Sequence, residues 1–190
     1  MKAPIRCAWT HQMPAYYIQY HDEEWGVPIH DDQQHFELLT LEGAQAGLSW
    51  QTVLKKRHGY RQAWAHYDIA QIAAFDQSTR EQLYRDERIV RNRLKIDATI
   101  RNAQHFLKIQ AIWGSFDSYI WRFVDGKPLI NHWKHIQEVP TSTPLSDQIS
   151  QDLRKRGFRF VGSTIIYAYL QAAGLVNDHT TDCFRHQALS

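Results

Sequence analysis

Leu153-Arg154-Lys155-Arg156-Gly157-Phe158-Arg159-Phe160-Val161-Gly162 is the stretch whose reading decides the fold. A helical pattern over 147–156, with Ser146 read as its N-cap, stops at Gly157. Gly162 then opens another helix, which runs to Gly174. Two helices therefore flank a short glycine-bounded turn, because glycine permits positive φ and lets another backbone come close. The first turn of the second helix offers free N–H groups that favour an anion. Arg154, Lys155, Arg156 and Arg159 add positive charge around it, which suits a DNA phosphate contacted without reading its base. The competing reading is a basic helix C-terminus with an ordinary glycine cap. Phe158, Phe160 and Val161 are expected to pack the turn against a core.

Outward from that stretch the pattern stays helical. Apolar residues at helical spacing predict helices over 33–46, 49–57, 68–75, 79–85 and 94–112, and over 115–124 ending at Asp125-Gly126. Leu94, Ile96, Ile100, Ala103, Leu107 and Ile112 mark the longest. Residues 139–145 read as a linker and no segment reads as a convincing sheet, so the expected class is all-α. The 190 residues suit one compact unit, or two interlocked helical subdomains with the termini packed together. A net charge of +2 is compatible with nucleic acid without demanding it. The start, Met1 to Arg6, has no apolar signal core, and no run is long enough to span a membrane. A cytoplasmic monomer is expected.

The only cysteines, Cys7 and Cys183, lie near opposite ends, and each has a histidine at metal-ligand spacing: His21 for Cys7, His179 for Cys183. Four such ligands make a closed tetrahedral zinc site that is structural, because no position stays open for water. Spacing alone also allows a disulfide, or two buried thiols that act as small hydrophobes. A third cluster lies toward the front. Trp9, Tyr16, Tyr17, Tyr20 and Trp25 precede an apolar helical stretch that carries Glu42. A carboxylate there is costly without a partner. Aromatic faces beside one acceptor make a pocket for a purine with an exocyclic amine. The alternative is an aromatic core in which Glu42 pairs with an arginine.

These residues fall into Cys7-Ala8-Trp9, Tyr20-His21-Asp22-Glu23-Glu24-Trp25-Gly26-Val27-Pro28 and Leu41-Glu42-Gly43-Ala44-Gln45-Ala46-Gly47-Leu48-Ser49-Trp50. Further matching segments are Val53–Arg57, Pro140–Thr143, Lys155–Gly162 and Gly174–His179. Together they resemble the DNA-3-methyladenine glycosylase I family over essentially the whole chain, least distinctively over 58–139. The resemblance implies a helix-hairpin-helix DNA glycosylase fold with the hairpin unit at about 146–174. It implies one structural Zn2+ held by Cys7, His21, His179 and Cys183, joining the two ends of the chain. It implies excision of N3-methyladenine from double-stranded alkylated DNA, with free 3-methyladenine and an abasic site as products. Glu42 then takes the catalytic, base-recognising role, with Trp9, Tyr17, Tyr20 and Trp50 as the pocket. Leu48 fills the gap, and Gly157, Arg159 and Gly162 hold the DNA backbone. Asp178, next to His179, is expected to act only indirectly. A non-catalytic DNA-binding module with the same zinc and hairpin is the alternative.

Overall fold

The computed structural model describes residues 4–190. Ten α-helices account for most of it: α1 Ala15–Glu23, α2 Asp32–Gln45, α3 Trp50–Ala63, α4 Ile69–Ala73, α5 Gln77–Leu83, α6 Arg93–Trp113, α7 Phe116–Trp121, α8 Pro144–Lys155, α9 Ser163–Ala172 and α10 Phe184–Ala188. Most starts are written locally. Asp31, Ser49, Asp68, Asp76, Asn92 and Ser115 each accept a hydrogen bond from the backbone N–H three residues on, covering an amide the helix leaves open. The expected cap at Ser146 is corrected. Thr143 caps α8, Pro144 takes the first turn, and Ser146 returns a bond to the Thr143 amide as the other half of a capping box.

Two departures from the sequence pattern have simple causes. α1 was not legible from periodicity, because its residues are mixed polar and aromatic and bury only Tyr20 and His21. Leu94 and Ile112, counted in the apolar helical pattern of the longest helix, are 73% and 67% exposed. At 1.5 Å per residue, α6 outruns the core it lies on. A short parallel pairing was also unforeseen: β1 (Leu129–Ile130) sets Leu129 opposite Val176 and Ile130 opposite Asn177 of β2 (Val176–Asn177). Two-residue strands carry no alternation to read.

α2 is the central helix. Every residue from His35 to Ala44 is buried, and α2 packs against α3, α6, α7 and α9. A helix apolar on all sides belongs in a core, yet this one carries three polar side chains besides Thr40. His35 is held between the Tyr169 hydroxyl (2.6 Å) and Asp117 (3.2 Å). Glu37 accepts from Arg57 and Arg61. Glu42 has no hydrogen-bond partner among the described residues. The N- and C-terminal segments meet beside this core, where the Phe184 amide donates to the Ile5 carbonyl (2.9 Å). Among the described residues no helix is long and apolar enough to cross a membrane.

Candidate base pocket, metal cluster and hairpin

Glu42, 4% exposed, faces a cavity of about 160 Å³. Trp9, Tyr17, Tyr20 and Trp50 line it as the sequence suggested, joined by Trp25, Gln45, Ala168 and Gln171. Gln45 sits one helical turn after Glu42, and Ala168 and Gln171 are a turn apart on α9. Their shared face follows from helical spacing, but which helix would face α2 did not. Trp9 meets Tyr17 and Trp25 edge to face at 5.5 and 5.2 Å, and the rings of Tyr20 and Trp50 tilt together at 5.4 Å. The walls thus brace one another.

Desolvation alone pushes the Glu42 carboxyl up to about 8. Burial, and then the nearby Glu42 charge, raises Tyr17 and Tyr20 as well. The Trp50 indole N–H and the Tyr16 hydroxyl are buried with no partner among the described residues. Unpaired buried polar groups are costly, and here Glu42 and Trp50 gather around one cavity. Such a set can accept from an amino group and stack on a flat ring.

Next to this wall lies the cysteine–histidine cluster. One ligand atom each from Cys7, His21, His179 and Cys183 falls within 4.8 Å of the others, and all four residues are buried. The sulfur–nitrogen separations from Cys7 to His179, Cys183 to His179 and Cys183 to His21 are each 3.5 Å. Tetrahedral zinc, with bonds of about 2.3 Å to sulfur and 2.05 Å to nitrogen, gives edges of about 3.6 Å. The outer ring nitrogens are engaged as metal-bound imidazoles require: His21 Nδ1 lies 2.7 Å from Asp22, and His179 Nε2 lies 3.1 Å from the Trp25 carbonyl. Arg6 in turn clamps Asp22 through two nitrogens. Both cysteines are free thiols. Their proximity pushes Cys7 up and draws Cys183 down, a tension that a dication between them removes. The donor set fits zinc. The same Trp25 whose carbonyl orients His179 also lines the base cavity.

Asp178 is not in the cavity. It is 1% exposed and accepts four hydrogen bonds, from Asn131 (2.7 Å), Trp133 (2.7 Å), Tyr167 (2.5 Å) and Gln171 (2.7 Å). It reaches the cavity only through Gln171.

The hairpin between α8 and α9 forms as read, with changes of detail. Gly157 has φ +98°, and a Cβ there would stand 2.5 Å from the His105 ring. Gly162 has an ordinary φ of −62° and serves as the bare N-cap of α9. Arg154 leans over that N-terminus, its Nη2 3.3 Å from where a Gly162 Cβ would be. A guanidinium beside a helix N-terminus repels it unless an anion sits between them. Arg156 is not available for that task, because Asp152 holds it at 2.8 Å. Phe158 and Val161 are buried as expected, while Phe160 is half-buried with φ +53° and lies against Gly43. Arg159 is exposed with its side chain unpaired among the described residues, and its backbone exchanges two 2.9 Å bonds with Asn102 of α6. Leu48 is 41% exposed, directly after Gly47 at φ +78°. Lys95 of α6 fastens the approach to it by donating to the carbonyls of Ala44 (2.8 Å) and Ala46 (2.6 Å).

Residues 9–186 match the model of a family described as methyladenine glycosylase. The chain is 47% identical over 178 residues to DNA-3-methyladenine glycosylase 1 of Escherichia coli K12, covering 94% of this chain and 95% of that protein. It superposes with a TM-score of 0.91, at 49% identity, on a crystal structure of 3-methyladenine DNA glycosylase I, covering 95% of this chain and 98% of the other. A Staphylococcus aureus 3-methyladenine DNA glycosylase I, solved to describe 3-methyladenine recognition, matches at 36% identity and TM-score 0.91 over 96% of this chain and 97% of the other.

Proposed function

Because the chain belongs to the methyladenine glycosylase family and is a DNA-repair enzyme that excises 3-methyladenine, we propose that Glu42 is the residue that recognises the lesion and drives its release. One observation carries this reading. Of the buried polar groups on α2, His35 and Glu37 are satisfied from within the fold and Glu42 is left to a ligand.

The target base leaves the stack to enter the cavity. Leu48 fills the space it vacates. Trp50 stacks on the ring, with Trp9, Tyr17 and Tyr20 closing around it. N3-methylation gives the nucleoside a positive charge and weakens the glycosidic bond, so the base is already a good leaving group. Its charge draws the Glu42 proton off, because an opposite charge favours the carboxylate. The carboxylate then accepts from the adenine amino edge. A guanine would turn its O6 acceptor toward Glu42 and leave two buried acceptors facing each other, a loss of about 1–3 kcal/mol or more. Hydrolysis leaves free 3-methyladenine and an abasic site in duplex DNA.

Around that chemistry, Cys7, His21, His179 and Cys183 hold one structural zinc. Four protein ligands leave it no open position, so its role is to fix Trp9 and Trp25 against the C-terminal segment. Arg154, Arg159 and the first-turn amides of α9 hold a phosphate beside the lesion, with Gly157 and Gly162 keeping the backbone close. On this reading the hairpin is that of a helix-hairpin-helix glycosylase, acting as a monomer.

The test is Glu42→Gln. Binding of free 3-methyladenine, followed by the chemical shifts of the pocket tryptophans, is expected to weaken at least tenfold. Excision from methylated duplex falls by at least as much, while binding to an uncleavable duplex stays near wild type. Wild-type binding of free base by this variant sinks the assignment.

A further inference from the structure

Two neighbouring clefts on the outer face of α6 have no part in base recognition. One, of about 330 Å³, is floored by Leu94, Ala98 and Phe160, with Arg101 and Arg159 at its rim. The other, of about 490 Å³, is lined by Arg80, Arg101, Gln104 and His105. They share Arg101 and Asp97. Asp97 is the one carboxylate in either lining among the described residues, and it is occupied by the Tyr84 hydroxyl at 2.6 Å. Arg80, Arg101 and Arg159 have no acidic partner within ion-pair distance among the described residues, and neither does Lys108, one turn beyond Gln104. Burial, followed by the nearby Lys108 and Arg101 charges, lowers His105. The linings set Arg80, Arg101 and Arg159 against Asp97 alone, so the face is net positive and lacks a full counter-charge.

Its position says what supplies one. Lys95 ties α6 to the segment that presents Leu48, and Asn102 ties α6 to the hairpin. The seven helical steps from Lys95 to Asn102 span about 10 Å at 1.5 Å per residue. A duplex strand carries one phosphate per about 3.4 Å of axis. DNA touching both Leu48 and the hairpin therefore lays roughly three phosphates per strand along this face. The apolar floor suits sugar rings between phosphates.

We propose that the α6 face is a phosphate track that binds the duplex backbone between the Leu48 loop and the hairpin, through Arg80 and Arg101. It rests on the reading of Leu48 and the hairpin as DNA contacts. The test is an Arg80→Glu/Arg101→Glu double variant with a duplex holding a tetrahydrofuran abasic analogue, titrated at several salt concentrations. The expected outcome is at least a tenfold loss of affinity and a log–log salt slope shallower by about 1.8, two contacts at about 0.9 each. Melting temperature and free 3-methyladenine binding are expected to stay at wild-type values. An unchanged slope overturns the track. So does an equal loss in Lys127→Glu, whose charge lies in the turn before β1 outside both clefts, because the effect is then net charge alone. Leu48→Ala and Arg159→Glu separate the two levels. If both bind DNA like wild type, the premise falls and the track with it. If both weaken binding and the double variant does not, the track alone is wrong.

Discussion

Two buried carboxylates in this chain have opposite surroundings. Asp178 receives four donors and is closed off; Glu42 receives none among the described residues and faces an aromatic cavity. Both are almost wholly removed from water, at 1% and 4% exposure. A buried carboxylate is tolerable when its lone pairs are filled and costly when they are not. Asp178 therefore belongs to what holds the structure together, along with the cysteine–histidine cluster at the same seam. Glu42 is a standing cost that a ligand relieves. Gln171 touches both sides, donating to Asp178 while lining the cavity.

The comparison can be broken on the structural side first. Removing the proposed zinc is expected to have the largest effect, because structural zinc in zinc-finger peptides contributes apparent energies of about 10–16 kcal/mol. Chelation, or Cys183→Ser, should lower the melting temperature by more than any single substitution of the pocket. Metal analysis giving well under one zinc per chain, with a melting temperature indifferent to chelator, would reduce the cluster to buried thiols and imidazoles. Asp178→Ala comes next. It strands four donors and is expected to cost about 3–5 kcal/mol, a fall of roughly 10 °C in melting. If the melting temperature stays within a degree or two of wild type, the network is not structural.

Glu42→Gln gives the smallest change, with opposite sign. The carboxyl titrates near 4.5 unfolded and near 8 folded, so the native state holds its proton more tightly. Wild-type stability therefore falls as pH rises between those values and levels off above about 8. The amide has no such dependence. The variant is expected to be more stable than wild type at pH 8.5 by about 1–3 kcal/mol, given that each tenfold difference in proton affinity is worth roughly 1.4 kcal/mol. Its advantage should shrink toward pH 5 in denaturant titrations at both pH values. A pH-independent difference would mean that Glu42 has a partner in solution.

Local signals carried much of this. Gly157 between two helical runs marked the hairpin, and a position needing φ +98° against the His105 ring admits little else. Cys7, His21, His179 and Cys183 could be grouped because metal ligands obey spacing rules. Glu42 stood out because an acid in an apolar helix is conspicuous. The cap of α8 was misplaced by three residues, because Thr143 and Ser146 are both cap formers and only geometry shows which oxygen meets which amide.

What stayed hidden depended on distance along the chain. Asn131 and Trp133, which supply two of the four donors to Asp178, come from the least distinctive stretch of the sequence, 58–139. Lys95 and Asn102 read as ordinary helix residues until their targets, 49 and 57 positions away, are in view. The sequence by itself determined most of the helices, the hairpin and the types of residue able to bind metal and base, because capping, periodicity and ligand spacing act between near neighbours. The tertiary structure alone decided that His35 and Glu37 would be satisfied and Glu42 would not, because satisfaction depends on which donors packing brings within about 3 Å. It also decided that α6 would join the Leu48 loop to the hairpin, since that follows from how the helices pack and from no residue taken alone.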